Sequence, residues 1–177
     1  MNILKTHIET ERLILIPVSA MYREEIFSEF TPEITTYMFP KSADDIGETD
    51  AFIAESIENM SKGTELVCVI LKKDTKEFMG IAGLHHIDTP TPEFGIWTKK
   101  SSHGNKYGRE AIYGVKQWAD KNIVYEYITY PADKRNIGSK KIAESLGGVI
   151  KKEYTQTGLD GQELDEVEYW IYPMDRK

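Results

Sequence analysis

The chain has 177 residues, a formal net charge of −7 and one cysteine. That length predicts one folded domain over residues 1–177, with enough apolar surface to close a core without disulfides or a structural metal. A lone Cys68 excludes a disulfide framework and a cysteine zinc cluster, and 29 acidic against 22 basic residues speak against direct nucleic-acid binding.

No apolar run approaches the ~20 residues of a membrane span. The first residues lack the apolar stretch of a secretory signal. A cytoplasmic protein without membrane contact is expected.

In chain order, residues 12–16 read as a β-strand stopped by Pro17. Ser19 is placed to cap a helix over 20–30, and Pro32 to open a second. Phe52, Ile53, Ser56, Ile57 and Met60 recur at helical spacing, which predicts a longer helix from near Ser42 to Gly63. The pattern then changes. Residues 66–71 are a continuous apolar run, expected as a strand buried on both faces. A polar turn at 73–76 leads to an antiparallel strand over 78–87, and Pro90 and Pro92 precede another over 93–98. A helix over 108–121, a strand over 125–130, a helix over 136–146 and a strand over 149–157 follow. Asp160-Gly161 turns the chain into a last strand over 166–172. This order predicts an α+β (mixed α/β) domain with a mostly antiparallel sheet of about seven strands flanked by helices.

The chemistry concentrates between Glu93 and Ala111. A strand runs into a polar loop with Gly104 and Gly108, and the loop opens a helix. The first turn of a helix has unpaired N–H groups and the positive end of the macrodipole. Glycines let that backbone approach an anion, and Lys106 and Arg109 add charge. A flexible strand-to-helix loop with solvated charges is the plain alternative.

Four segments fall in a meaningful order: Thr10-Glu11-Arg12-Leu13-Ile14-Leu15, Glu93-Phe94-Gly95-Ile96-Trp97, residues 103–111, and Asn136-Ile137-Gly138-Ser139 followed by Leu146-Gly147-Gly148. On them the chain resembles a GCN5-related N-acetyltransferase (GNAT), of the branch similar to the RimJ/RimL ribosomal-protein N-terminal acetyltransferases. It departs from the family loop at two positions. His103 stands where an Arg or Gln is usual, and Lys106 stands at the first glycine.

The resemblance implies a twisted sheet with a V-shaped opening between the fourth and fifth strands, and acetyl-CoA as cosubstrate without a metal. Backbone groups of Ile96 and Thr98, with Trp97 between them, would pair with the pantetheine arm. His103, Gly104, Asn105, Lys106, Tyr107, Gly108 and Arg109 would surround the pyrophosphate. Asn136 and Ser139 would reach the coenzyme from the other arm, although Asn136 is equally suited to cap a helix.

Acetyl transfer to an amine needs a neutral nucleophile, a donor for the oxyanion and a path for the thiolate. Glu93 is the first candidate base and His85, beside His86, the second. Ser139 is the candidate acid, because the position where many family members carry a tyrosine is Ala143. The plain readings are a strand-end carboxylate, a strand-end polar residue and a small packing residue. Asp160, Glu163, Asp165, Glu166 and Glu168 in the last hairpin would draw an amine cation, and an ordinary solvated hairpin with alternating charges is the plain alternative. The expected partner is thus an amine-bearing small molecule or a protein N-terminus, and the branch also makes a homodimer a possibility. The altered loop and absent tyrosine motivate the alternative, a catalytically silent acyl-CoA-binding or sensory module on the same fold.

Overall fold

The central apolar run becomes the centre of a sheet. In a computed structural model that describes residues 2–174, strand β3 is Glu65–Lys72, and 66–71 are all buried. The remaining strands are β1 (Ile8–Glu9), β2 (Leu13–Pro17), β4 (Phe78–His85), β5 (Glu93–Thr98), β6 (Ile128–Asp133), β7 (Val149–Thr157) and β8 (Glu163–Ile171). The helices are α1 (Arg23–Glu29), α2 (Pro32–Thr35), α3 (Ile46–Lys62), α4 (Tyr107–Asn122) and α5 (Ile137–Ser145). The strand order is β1-β2-β3-β4-β5-β6-β8-β7. Every neighbouring pair is antiparallel except β5 and β6.

The parallel pair touches at one register position, Glu93 opposite Thr129. The Thr129 N–H donates to the Pro92 carbonyl at 2.8 Å. The next donor along that edge of β6 belongs to residue 131, a proline with no N–H. The ladder therefore ends where it begins, and β5 and β6 part as a V. Alternation along β5 turns the backbone groups of Phe94, Ile96 and Thr98 toward the gap, on the same edge as the Pro92 carbonyl.

Side chains alternate across the sheet. An added Cβ on Gly108 would meet Ile96 Cδ1 at 3.5 Å, Thr98 Cγ2 at 3.7 Å and Ile142 Cδ1 at 3.3 Å, so α4 and α5 cover the face of residues 94, 96 and 98. Phe30, just past α1, packs its ring 4.8 Å from that of Trp97, which puts α1 on the face of residues 93, 95 and 97.

Several boundaries differ from expectation. The sheet has eight strands rather than about seven, because two-residue β1 pairs Ile8 with Leu15 and Glu9 with Ile14. Two residues leave no periodic signal. Ser19 makes no side-chain cap, and a 3-10 turn at Ala20–Tyr22 precedes α1. Helix α3 begins after Asp45, whose carboxylate accepts from the Gly47 N–H at 2.7 Å, and ends at Gly63 in the left-handed region, φ 78°. Strand β6 starts three residues later than the 125–130 expectation and runs through Pro131. Proline reads as a strand breaker, but here it sits on an edge that needs no donor. Cys68 is fully buried, and burial pushes its thiol far above the usual range.

Candidate active site

The gap between β5 and β6 opens into a groove of about 570 Å³ that reaches the first turn of α4. Ile96, Trp97, Thr98, His103, Gly104, Lys106, Tyr107, Gly108, Arg109, Asn136 and Ser139 line it, joined by Ile34, Met38, Lys141 and Ile142. Among the expected coenzyme residues Asn105 is the exception. Its Nδ2 donates to the Ser102 carbonyl at 3.1 Å and the His103 carbonyl at 3.3 Å, so it ties the loop to itself.

The loop explains the sequence departures. Lys106 precedes α4 with φ 61°, in the left-handed region that glycine occupies without strain. A position where the family pattern has glycine thus carries a backbone that suits glycine, and Lys106 itself lines the groove. His103 Nε2 lies 2.9 Å from the Thr98 carbonyl, so the imidazole folds back on the strand end. One lone pair of a backbone group expected to face the pantetheine is therefore already taken.

The opening motif has a mechanical purpose. Thr10 Oγ1 donates to Glu110 Oε1 at 2.6 Å, and the Arg12 N–H donates to the same oxygen at 2.7 Å. Arg12 Nε adds a bond to Glu110 Oε2 at 2.7 Å, and its guanidinium lies over the Tyr107 ring. Burial pushes the Glu110 carboxyl up, but these bonds together hold it below the usual range. The first turn of α4 is thereby pinned to the turn between β1 and β2.

On the other arm, Asn136 Oδ1 accepts from the Ser139 N–H at 3.1 Å and caps α5. Its Nδ2 has no partner among the described residues, and Asn136 is part of the groove lining. Ser139 Oγ lies 2.9 Å from the hydroxyl of Tyr130, a buried phenol on β6 that burial pushes up to about 12, against the opposing Ser139 bond. Sequence reasoning missed Tyr130, because the expected tyrosine position lies on α5.

The opposite face carries acid. Glu65, His85 and Glu93 stand in one row across β3, β4 and β5. His85 Nδ1 lies 2.7 Å from Glu65 Oε2. Burial pushes the Glu65 carboxyl up, yet the His85 bond and charge, with the Asn59 amide, leave it below the usual range. Glu93 has no hydrogen bond or ion pair among the described residues. Its carboxyl is raised, first by burial and then by Glu168 and Glu166, against His85 and His86.

The five hairpin carboxylates separate. Glu166 and Glu168 are buried on the Glu93 face, and Asp165 pairs with Lys134 at 3.1 Å. Asp160 and Glu163 are exposed near the outer turn. Glu168 accepts from Trp170 Nε1 at 2.8 Å and pairs with Lys152 at 3.1 Å. Glu166 keeps one buried oxygen without a partner among the described residues. No helix among the described residues is long and apolar enough to cross a membrane.

A strand pair that splits after one contact, with a loop and helix N-terminus at its mouth, defines an acyltransferase-type cleft. The chain belongs to the acetyltransferase (GNAT) family, whose domain model matches residues 12–149. A search of curated protein sequences finds no match. Among solved structures, RimL, a ribosomal-protein alpha-N-acetyltransferase in complex with coenzyme A, superposes with a TM-score of 0.81 at 13% identity over 94% of this chain and 98% of its own. Spermidine N-acetyltransferase from Vibrio cholerae, in complex with CoA and spermine, gives 0.80 at 15% identity over 93% of this chain and 97% of its own. A GNAT-family acetyltransferase from Bacillus anthracis gives 0.81 at 15% identity over 96% of this chain and all of its own, 100%. At such identities the likeness is one of fold.

Proposed function

We propose that the protein transfers an acetyl group from acetyl-CoA directly to a primary amine, on a small molecule or a protein N-terminus. The observation that carries this reading is the charge on the two sides of the split. Lys106, Arg109 and Lys141 line the groove at the α4 N-terminus, which suits a polyanion. Glu93, Glu166 and Glu168 stand on the opposite face, which suits an ammonium. RimL acts on a protein alpha-amine and spermidine N-acetyltransferase on a polyamine, and both support the same class.

In this reading the edge of β5 holds the pantetheine as an added strand. The loop amides, Lys106 and Arg109 take the pyrophosphate, and Asn136 Nδ2 donates from the second arm. The acetyl carbon then lies near Gly95, beside Glu93 and His85. Glu93 draws the acceptor ammonium, and a base on this face removes its proton. Ser139, backed by Tyr130, faces the departing thiolate from the α5 side. Cys68 is sealed in the core, so the nucleophile is the acceptor itself and no acetyl-enzyme forms.

The second reading, a binding module without turnover, draws on Ala143. The Tyr130–Ser139 hydroxyl pair supplies a donor near that place, which favours turnover. The test is acetyl-CoA with a panel of primary amines, followed by thiol release. Thermal stabilisation by acetyl-CoA with thiol release supports the transferase, and stabilisation without thiol from any amine supports the module.

A further inference from the structure

The base on the acceptor face can be narrowed. Two glycines, Gly83 and Gly95, stand opposite each other in the interiors of β4 and β5. Interior strand glycines weaken a sheet unless something approaches closely. Here the His85 imidazole does. A Cβ on Gly83 would lie 2.8 Å from His85 Nε2, and one on Gly95 would lie 3.2 Å from it. The ring therefore rests on the bare backbone of the glycine pair, with Nε2 over the strand that borders the split. Its other nitrogen, Nδ1, meets Glu65 Oε2 at 2.7 Å. Glu65 is itself fixed, because its other oxygen accepts from Asn59 Nδ2, on α3, at 3.2 Å.

A carboxylate accepts, so Nδ1 carries the hydrogen in that bond. In the neutral ring this leaves the Nε2 lone pair free toward the split. Glu93, the neighbour of His85 in the row, holds an unpaired carboxylate on the same face.

Resting on the acetyltransferase reading, we propose that His85 takes the acceptor amine's proton at Nε2 and that Glu65 is the positioning residue that fixes its tautomer. Glu93 draws the ammonium to the site. The nitrogen–carbon bond forms and the carbon–sulfur bond breaks, with its electron pair leaving on sulfur as thiolate. The ammonium loses two protons in all: the first goes to Nε2 and on to solvent before the neutral amine attacks, and the second, shed as the amide forms, follows the same route through an imidazolium balanced by Glu65. Glu65 from β3 pairs with the imidazole, and Glu93 from β5 and His86 beyond the end of β4 are its charged neighbours on this face; Glu166 and Glu168 from β8 and Tyr154 from β7 act on Glu93.

The test is the pH profile of kcat/KM for a primary amine, in the full-length protein and in Glu65→Gln, His85→Asn, Glu93→Gln and Gly95→Ala. With Glu65 neutral, the imidazolium loses its counter-charge, so the acid limb moves to lower pH. The same variant loses part of the about 100-fold that a positioned base contributes to kcat, with KM for acetyl-CoA unchanged. Glu65→Asp recovers part of the loss. Gly95→Ala displaces the ring without touching Glu65 and lowers kcat as well, which covers the case of a Glu65 variant that folds poorly. An acid limb unmoved in Glu65→Gln, or one that survives His85→Asn and disappears in Glu93→Gln, overturns the pair. A wild-type protein that binds acetyl-CoA and releases no thiol overturns the transferase reading together with it. Thiol release with an unmoved limb overturns the pair alone.

Discussion

On the α4/α5 face of the split, the groove is lined by Lys106, Arg109, Lys141, His103 and glycine backbone. On the α1 face stand Glu65, Glu93, Glu166 and Glu168, with Lys152 and His85 as close counter-charges. One sheet thus presents opposite charge on its two sides, and the gap beyond Glu93 and Thr129 opens between them. A net charge of −7 hides this division. What matters for a reaction between a polyanion and a cation is the sign at each mouth, since each reactant is drawn to its own side and meets the other at the gap.

The largest effect that tests this division comes from its basic side. Lys106→Ala with Arg109→Ala weakens acetyl-CoA binding about 100-fold, or roughly 2.8 kcal/mol, measured by calorimetry. KM for the amine stays near wild type. An amine KM that rises in parallel breaks the separation of the two faces. From the acidic side, Glu93→Gln lowers kcat/KM for the amine roughly tenfold, about 1.4 kcal/mol of lost attraction. Coenzyme affinity should stay fixed in the same titration.

A stability effect of similar size lies where the arms are braced. Asp133 is fully buried on β6; its carboxylate accepts twice from the Arg135 guanidinium, at 2.8 and 2.7 Å, and from the Asp165 N–H at 3.0 Å. The Arg135 bond, first among its causes, holds the carboxyl below its ordinary 3.8. A carboxyl depressed by folding adds stability above its unfolded value and loses it as pH falls through the folded one. Asp133→Asn therefore costs about 2 kcal/mol at neutral pH, less than a wholly buried pair because Arg135 stays half exposed. It also reduces the stability that is lost below pH 3.8, as read by urea melts across acid pH.

The smallest expected change sharpens the role of the loop lysine. Lys106→Gly relieves left-handed backbone strain of about 1 kcal/mol and raises the melting temperature slightly, while acetyl-CoA binds several-fold more weakly because the ammonium is gone. Tighter binding in this variant would mean that the side chain obstructs the phosphates.

Much of this was legible before the fold was known. The run 66–71 and the Asp160-Gly161 turn place β3 and the last hairpin because burial on two faces and a two-residue turn leave local signals. The loop from His103 to Arg109 reads as an anion device from its local glycines and charges, whereas the left-handed backbone at Lys106 emerges only from the structure. What stayed hidden depends on cross-strand geometry. Glu65 gains meaning only when β3 and β4 bring it against His85 across 20 residues of sequence. Tyr130 matters only because β6 aims its hydroxyl at Ser139. Gly83 and Gly95 carried a signal, two glycines inside apolar strands, that a pairing register would have turned into a shelf for the imidazole. The end of β6 was hidden too, because Pro131 lies inside the strand on the edge where β5 and β6 part and no donor is needed.

The most direct measurement of the central claim is thiol release on mixing the protein with acetyl-CoA and a primary amine, with the acetylated amine quantified in the same reaction. Thiol and acetylated amine should appear in equal amounts, only when both reactants are present, and with no thiol burst from acetyl-CoA alone. Stabilisation by acetyl-CoA with no thiol from any amine, or a burst of thiol before the amine is added, would contradict direct transfer across the split.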